Sequence, residues 1–438
     1  YMQKIVSFFK SKFYFAILIV PILLITKIHF ADDNLVFNYS SLWILSSIFY
    51  LLSVIIVNKN EIKSYQIMFL IFISLTTQLS FINFDPIGSD DIYRYIWDGK
   101  VQANNINPYL YKPIDNELDS LHSDLLPAKM NFKEMKTIYF PLSQWLFFIS
   151  YKISEESFWG FKFLIFISII LSYFLTYKLL KVLNHDIKNI LVLILSPLIY
   201  FQFSLDGHLD AFGLPFLLSA ILFYFLNKKL TSAFFLGLSF SIKPIAIVLI
   251  PIFILNEKSN IEKLKFLLIS LLSFFIQFIP YIFSSNPFEA FIIYSKNWMY
   301  NGFIFTSINS LLKNNQLSRL ATWGLLFIFL IPIYFRKIDL LKKIYFSLLL
   351  MIIFSPVIHP WYLSWLLILL PFVRNWSGIY LVSSVSLTSL TIFIYKTTGV
   401  WKDFYLIQMI EFIPVLALII YELYKEFIYY NSDKLTAP

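Results

Sequence analysis

Long apolar runs broken by short polar punctuation set the plan of this chain. Stretches such as FAILIVPILL and LVLILSPLIY carry no charged residue. A helix needs about 20 apolar residues to cross a bilayer core. Runs near that length or shorter fall at residues 13–29, 41–57, 65–83, 158–180, 189–204 and 209–226. Others follow at 230–242, 246–255, 264–283, 320–335, 344–358, 361–373, 378–395 and 404–424. They predict an all-α polytopic membrane protein, one membrane-embedded unit over residues 1–438 with about 13–14 transmembrane helices. No internal sequence repeat is visible among them.

Composition agrees with that pattern. Hydrophobic residues make up 58% of the 438, aromatic residues 20%, and charged residues only 14%, where a soluble domain carries about 25% charged residues. The net charge of +9 comes from lysines and arginines in short loops beside apolar runs. That is the positive-inside signature of a membrane protein and excludes a nucleic-acid partner. There is no cysteine, which removes disulfides, thiol catalysis and thiolate metal sites. The basic start Tyr1–Lys12 leads into an apolar run with no small-residue cleavage site, so that run is expected to stay as the first span.

The same lysines orient the chain. Lys4, Lys10 and Lys12, then Lys59 and Lys63, the pair Lys228 and Lys229, and later Arg374 and Lys425 are expected to share the cytoplasmic side of a cell inner (plasma) membrane. Both termini then lie in the cytoplasm. The count closes only if residues 140–153 do not cross. That segment is short and starts at Pro141, as a helix start does, so it is expected to be a re-entrant or juxtamembrane helix. Two loops then face outward, residues 84–139 and 284–318, and the first holds nine of the chain's 26 acids. Asp206-Gly207-His208-Leu209-Asp210 and SPVIHPWYLSW surface on the same face.

The first loop contains SDDIYRYIWDGK. With Ser89 as a cap and Asp90 opening a helix, Asp90, Arg94 and Asp98 fall at i, i+4 and i+8 on one face. Asp91 and Tyr95 sit on the adjacent face. One arginine cannot neutralise two neighbouring acids, which leaves a carboxylate free to accept a proton. The alternative is a solvated loop helix whose acidic first turn merely suits the helix dipole. Metal ligation by the Asp pair is a weaker reading, because no histidine lies near it in sequence. Lys243 stands in the apolar run 230–255 directly before Pro244. A charge at membrane depth costs a few kcal/mol unless it meets water, an anion or a partner, so Lys243 is either a phosphate seat or a lysine snorkelling from a helix end. His208 lies beside Asp206 and Asp210, and His359 beside Trp361 and Tyr362. These are sites for sugar or phosphate contact, or else interfacial hydrogen bonders.

SDDIYRYIWDGKVQANNINPY resembles the first outer loop of bacterial polyprenol-phosphate-sugar-dependent glycosyltransferases of the GT-C class, nearest to their mannosyltransferase-like group. IYFPLSQWLFF resembles the Tyr-Pro-Pro-Leu helix after that loop, with Phe140 in place of the first proline. SLDGHLDAFGLPFLLSAILF is similar to an Asn-Gly-His-x-Asp segment, with Asp206 where Asn is usual. LGLSFSIKPIAIVLIPIF matches a Gly-Leu-x-x-x-x-Lys-Pro segment, and SPVIHPWYLSWLL a His-Pro-Trp-Tyr segment. The resemblance covers about residues 84–372, most of the chain.

It implies a GT-C bundle with a long helical catalytic first loop. It also implies an inverting transfer of a hexose, mannose first, from a polyprenyl-phosphate sugar to a hydroxyl of a glycan, lipid or protein acceptor. The catalytic acid maps onto Asp90, with Asp91 as the alternative. Lys243, Arg94 and His359 are the expected cations for the leaving phosphate. Tyr95, Asp98, Lys100, His208, Asp210 and Trp361 complete the expected substrate-binding set, and no cofactor is implied. A secondary transporter or lipid-sugar flippase is the competing class, although its charges would lie in mid-membrane repeats. A third reading is a non-catalytic partner in envelope glycan export.

Overall fold

The computed structural model describes the backbone of residues 2–31 and 34–435 and the side chains of residues 12–31 and 34–426. Expectations resting on the side chains of Lys4 and Lys10 lie outside the described residues. Most of the described residues are helical. Among the described residues, the β pairing is confined to isolated bridges from Tyr300 and Asn301 to Val357. Helices α1 (Met2–Thr26), α2 (Leu35–Lys59) and α3 (Ser64–Ser80) lead to the first loop, which opens with α4 (Asp91–Ala103) and is followed by α5 (Pro141–Ser154) and α6 (Trp159–Val182). Seven helices among the described residues are long and apolar enough to cross a membrane. They are Lys12–Phe30, Leu35–Lys59, Trp159–Val182, Asn260–Ile282, Asn315–Phe335, Trp376–Thr398 and Tyr405–Glu426. The chain is thus an all-helical multi-pass membrane protein.

Fewer continuous spans form than the 13–14 expected, for two physical reasons. Proline breaks several apolar runs. Ile187–Ile194 and Pro197–Leu205 are bent by 49° at the break, and Pro244 divides residues 230–255 into Lys229–Ile242 and Pro244–Leu255. Residues 361–373 coil into short turns, Pro360–Leu363, Ser364–Leu367 and Leu370–Val373. Inside the protein, such irregular backbone finds polar partners that lipid cannot supply.

Helix α2 shows how the bundle packs. Its buried positions are Tyr39, Ser40, Trp43, Ser46, Ser47, Tyr50, Ser53, Val54, Ile56 and Val57, while Phe37, Leu45, Ile48, Leu52 and Ile55 are exposed. Small and polar residues line the inside and greasy ones face out. This inside-out pattern suits helices that associate by close packing rather than by hiding apolar surface from water.

Helix α5 has 14 residues, about 21 Å at 1.5 Å per residue, too short to span a core of about 30 Å. It lies against α4 instead. Gly99 makes the close approach possible, since a Cβ there would sit 2.3 Å from the Phe147 carbonyl oxygen. Tyr95 stacks on Phe147 at 4.8 Å. The polar side of the joint centres on Asp98. Arg94 Nε donates to Asp98 Oδ1 at 2.9 Å, and Gln144 Nε2 donates to Asp98 Oδ2 at 2.9 Å.

The start of α6 carries a charge that the apolar pattern hides. Lys162 is 3% exposed, and its ammonium donates to the carbonyls of Leu205 at 2.6 Å, Phe81 at 3.4 Å and Phe84. It thereby ties the exit of α3 to the end of the bent pair, the two points from which the acidic loop and the His208 segment depart. Lys162→Met keeps the volume but removes the donor that these carbonyls share, so unfolding in detergent should become easier by on the order of 3 kcal/mol. A variant as stable as the parent would contradict this role.

Candidate active site

Where residues 84–139 meet the bundle, a cavity of about 440 Å³ is lined by Asp90, Asp91, Tyr95, Asp210, Lys243, His359 and Trp361, among others. This is a usual size for a small-molecule site. Four chain segments that the sequence placed on one face do converge here. Two more join them, Lys243 and the segment 392–401 with Lys396.

The acidic loop is fixed from below by Asp206, which is 1% exposed. Its Oδ1 accepts from the amides of Ile87 at 3.0 Å and Gly88 at 2.8 Å. Its Oδ2 accepts from the Tyr39 hydroxyl at 2.6 Å. Gly88 is required for this, because a Cβ would stand 2.4 Å from the Tyr39 oxygen. Directly after Asp206, Gly207 turns with φ +72° and leaves room for Ile92, which a Cβ would meet at 2.6 Å.

Helix α4 begins one residue later than expected. Asp91 opens it, and Asp90 is the residue before it, with no side-chain cap bond. The Asp91 amide donates to the Ser89 hydroxyl oxygen at 3.3 Å instead. The two acids then diverge. Asp90 pairs with Lys396 at 3.3 Å. Asp91 points toward His208, with Oδ2 3.7 Å from Nδ1, beyond hydrogen-bonding reach. Burial lifts the Asp91 carboxyl to about 6; Lys243 pulls it down, while Asp90, Asp210 and Asp206 add to the rise.

Opposite lies Lys243, extended at φ −143° and ψ 120° between two helices, as the residue before a proline prefers. Its ammonium is 3.4 Å from Asp210 Oδ2 and 3.7 Å from the centre of the Tyr362 ring, a cation–π contact. Trp365 Nε1 donates to the other Asp210 oxygen at 2.9 Å. Lys243 therefore reaches into the cavity rather than out to a membrane surface.

Beside these charges four rings stack. His208 lies on Trp361 at 3.5 Å, Trp361 on His359 at 4.4 Å, and His359 on Tyr300 at 4.8 Å. Both histidines are held neutral. Burial pushes His359 down to about 3, helped by Lys243, and drives His208 well below its usual value, helped by His359 and Lys243. The segment carrying Tyr300 is pinned to the His359 segment. The Tyr300 amide donates to Pro356 at 3.1 Å and its carbonyl accepts from Ile358 at 2.8 Å. Behind it, Asn301 Nδ2 donates to Glu411 Oε2 at 2.8 Å, and Arg319 holds the Ser295 and Trp298 carbonyls.

Not every expected site residue stands in the cavity. Arg94 is turned to Asp98 and to the Met135 carbonyl at 2.9 Å, and touches only a 40 Å³ alcove behind Asp90 and Asp91. Asp98 is buried in the α4–α5 joint. Lys100 pairs with Glu156. His359, being neutral, offers hydrogen bonds and a ring face rather than a charge. The cavity's cations are thus Lys243 and Lys396. Among the described residues, no group of three His, Asp or Glu side chains is arranged to hold a metal ion. Lys396, Tyr300 and the Asp206 tether were missed. The signal for Lys396 was a lysine one residue past an expected span end.

Residues 28–257 match the family model described as alpha-(1->6)-mannopyranosyltransferase, N-terminal domain, and residues 313–424 match the MptB C-terminal domain. The first match covers more than half of the chain, and the protein belongs to this mannosyltransferase family of GT-C type. It is a mannosyl-transferring membrane glycosyltransferase. No curated protein and no solved structure matches it.

The Asp206 geometry yields a test. Asn at this position can still accept both amides on its oxygen and donate to the Tyr39 oxygen, in keeping with the Asn usual in similar segments. Asp206→Asn should keep most mannosyl transfer. Asp206→Ala leaves two amides unpaired, each worth about 1–3 kcal/mol, and should lose transfer along with thermal stability. Equal activity in the two variants would mean the tether does not position the loop.

Proposed function

We propose that this protein transfers a mannosyl group from a polyprenyl-phosphate donor to an acceptor hydroxyl, with inversion, on the extracytoplasmic side of the membrane. One observation carries the reading: Asp91 and Lys243 face a single cavity, and Lys243 also lines an apolar annex. The annex, about 190 Å³, is bordered by Ile245, Phe291, Trp323, Met351 and Ile352, and shares Lys243, Tyr294 and Tyr362 with the main cavity. A lysine at the junction of a polar chamber and an apolar one suits a molecule that is sugar at one end, hydrocarbon at the other and phosphate between.

In this reading the donor phosphate sits at Lys243, which balances its charge as the bond to the sugar breaks. The acceptor hydroxyl gives its proton to Asp91. Its oxygen bonds to the anomeric carbon from the face opposite the phosphate, and the electron pair of the departing bond goes to the phosphate oxygen. The products are the mannoside and the lipid phosphate. No second carboxylate is needed as a nucleophile, unlike in a retaining glycosidase. An alpha linkage then requires a beta-linked donor, because displacement inverts the centre. The resemblance points to Asp90 as the base, but Asp90 is engaged by Lys396. Asp91 is the better base, having a raised carboxyl and no hydrogen-bonding partner among the described residues. A base with a value near the working pH is also the more effective one. The outward placement rests on the lysine pattern of the loops.

Purified protein, a beta-linked polyprenyl-phosphomannose and a panel of hydroxyl acceptors would test this by release of lipid phosphate. Asp91→Asn should bind donor normally and lose about 10²–10⁴-fold in turnover, the usual worth of a positioned base, with a smaller loss for Asp90→Asn. Lys243→Ala should weaken the donor more than the acceptor. A base must be deprotonated to act, so transfer should fall as pH drops through about 6, not through the ordinary carboxylate range near 4. Near-normal turnover in Asp91→Asn would sink the assignment.

A further inference from the structure

Lys396 projects from the end of the helix Trp376–Thr398 into the cavity, far in sequence from every other charge there. Its Nζ lies 3.3 and 3.5 Å from the two oxygens of Asp90. Asp90 forgoes the usual work of an aspartate before a helix, accepting an amide of the first turn, and turns to this lysine instead. The nearer basic residue in sequence, Arg94, is spent on Asp98 and the Met135 carbonyl.

The charges around Asp91 then form a pattern. Three acids act on it, Asp90, Asp210 and Asp206, and one cation, Lys243. The other groups facing it are His208, Tyr95, Tyr139, Tyr294 and Tyr362, all neutral. Each neighbouring acid has its own partners: Asp210 has Lys243 and Trp365, Asp206 has Tyr39 and two amides, and Asp90 has Lys396. Only Asp91, among these four, has no hydrogen-bonding partner for its carboxylate among the described residues.

We propose that Lys396 is a positioning residue of the transfer reaction: it neutralises Asp90 and so divides the Asp-Asp pair into one paired acid and one working base, Asp91. This rests on the assignment of Asp91 as base. Without Lys396, a bare negative charge would sit on the adjacent residue and make ionised Asp91 harder to form. An exposed lysine–aspartate pair contributes little to stability, so the effect belongs to the pH dependence of the reaction rather than to the fold.

The test is the pH profile of kcat/KM for mannosyl transfer in Lys396→Met, Lys396→Arg, Asp90→Asn and the double variant Asp90→Asn with Lys396→Met. Lys396→Met should move the acid limb up by about one pH unit, and Lys396→Arg should restore it. Adding Asp90→Asn to Lys396→Met should bring the limb back down, because the lysine acts through Asp90. If Lys396→Met fails to fold, Asp90→Asn alone decides: it leaves the lysine unpaired beside Asp91 and should move the limb down. An unmoved limb in Lys396→Met, or the same shift with and without Asp90, overturns the proposal. Full turnover in Asp91→Asn instead overturns the base assignment and is scored separately.

Discussion

A carboxylate taken out of water must find its full set of donors, and Asp206 finds three. Two are backbone amides of the acidic loop and one is a tyrosine of α2. The acidic side of the cavity hangs on this joint. It fixes where Ile87 and Gly88 lie, hence where α4 starts, hence which way Asp90 and Asp91 point. Lys162 reinforces it from the other side by gathering the carbonyls on which both segments end. Neither group has a substrate to touch. Their work is to hold a loop at a set depth in a medium that offers no alternative partners.

The same scarcity of water shapes the chemistry. Charges in the cavity occur in opposed sets, two lysines against the acids that line or underlie it, while two histidines are stripped of charge by burial. Neutral rings stacked on Trp361 and Tyr300 make a stiff wall that adds no further cation. A phosphate arriving at Lys243 must compete with Asp210 for it, and the 3.4 Å separation of that pair is looser than a tight ion pair. Such a lysine can be shared with an incoming anion at modest cost.

Much of this was legible in the sequence because it is local. The Asp-Asp start of α4, Lys243 before its proline, and His359 with its following proline and tryptophan each announce themselves within a few residues. The cavity brings them together. What was not legible depends on distant partners. Arg94 could have served either Asp90 or Asp98 by spacing, and only the packing of α5, through Gln144, decides for Asp98. Lys396 reads as an ordinary span-end lysine until the fold lays it beside Asp90. Continuous spans are fewer than the apolar runs for a related reason. Hydropathy registers greasy residues whether they face lipid or core, and several runs here are short, proline-broken helices sheltered within the protein.

The most direct measurement is a structure of the protein with a non-hydrolysable polyprenyl-phosphomannose analogue bound. A phosphate oxygen should lie within about 4 Å of the Lys243 ammonium, with the prenyl chain entering the annex beside Trp323 and the anomeric carbon open to Asp91 on the side away from the phosphate. A phosphate held elsewhere, with Lys243 still on Asp210 and Asp91 facing away from the sugar, would contradict it.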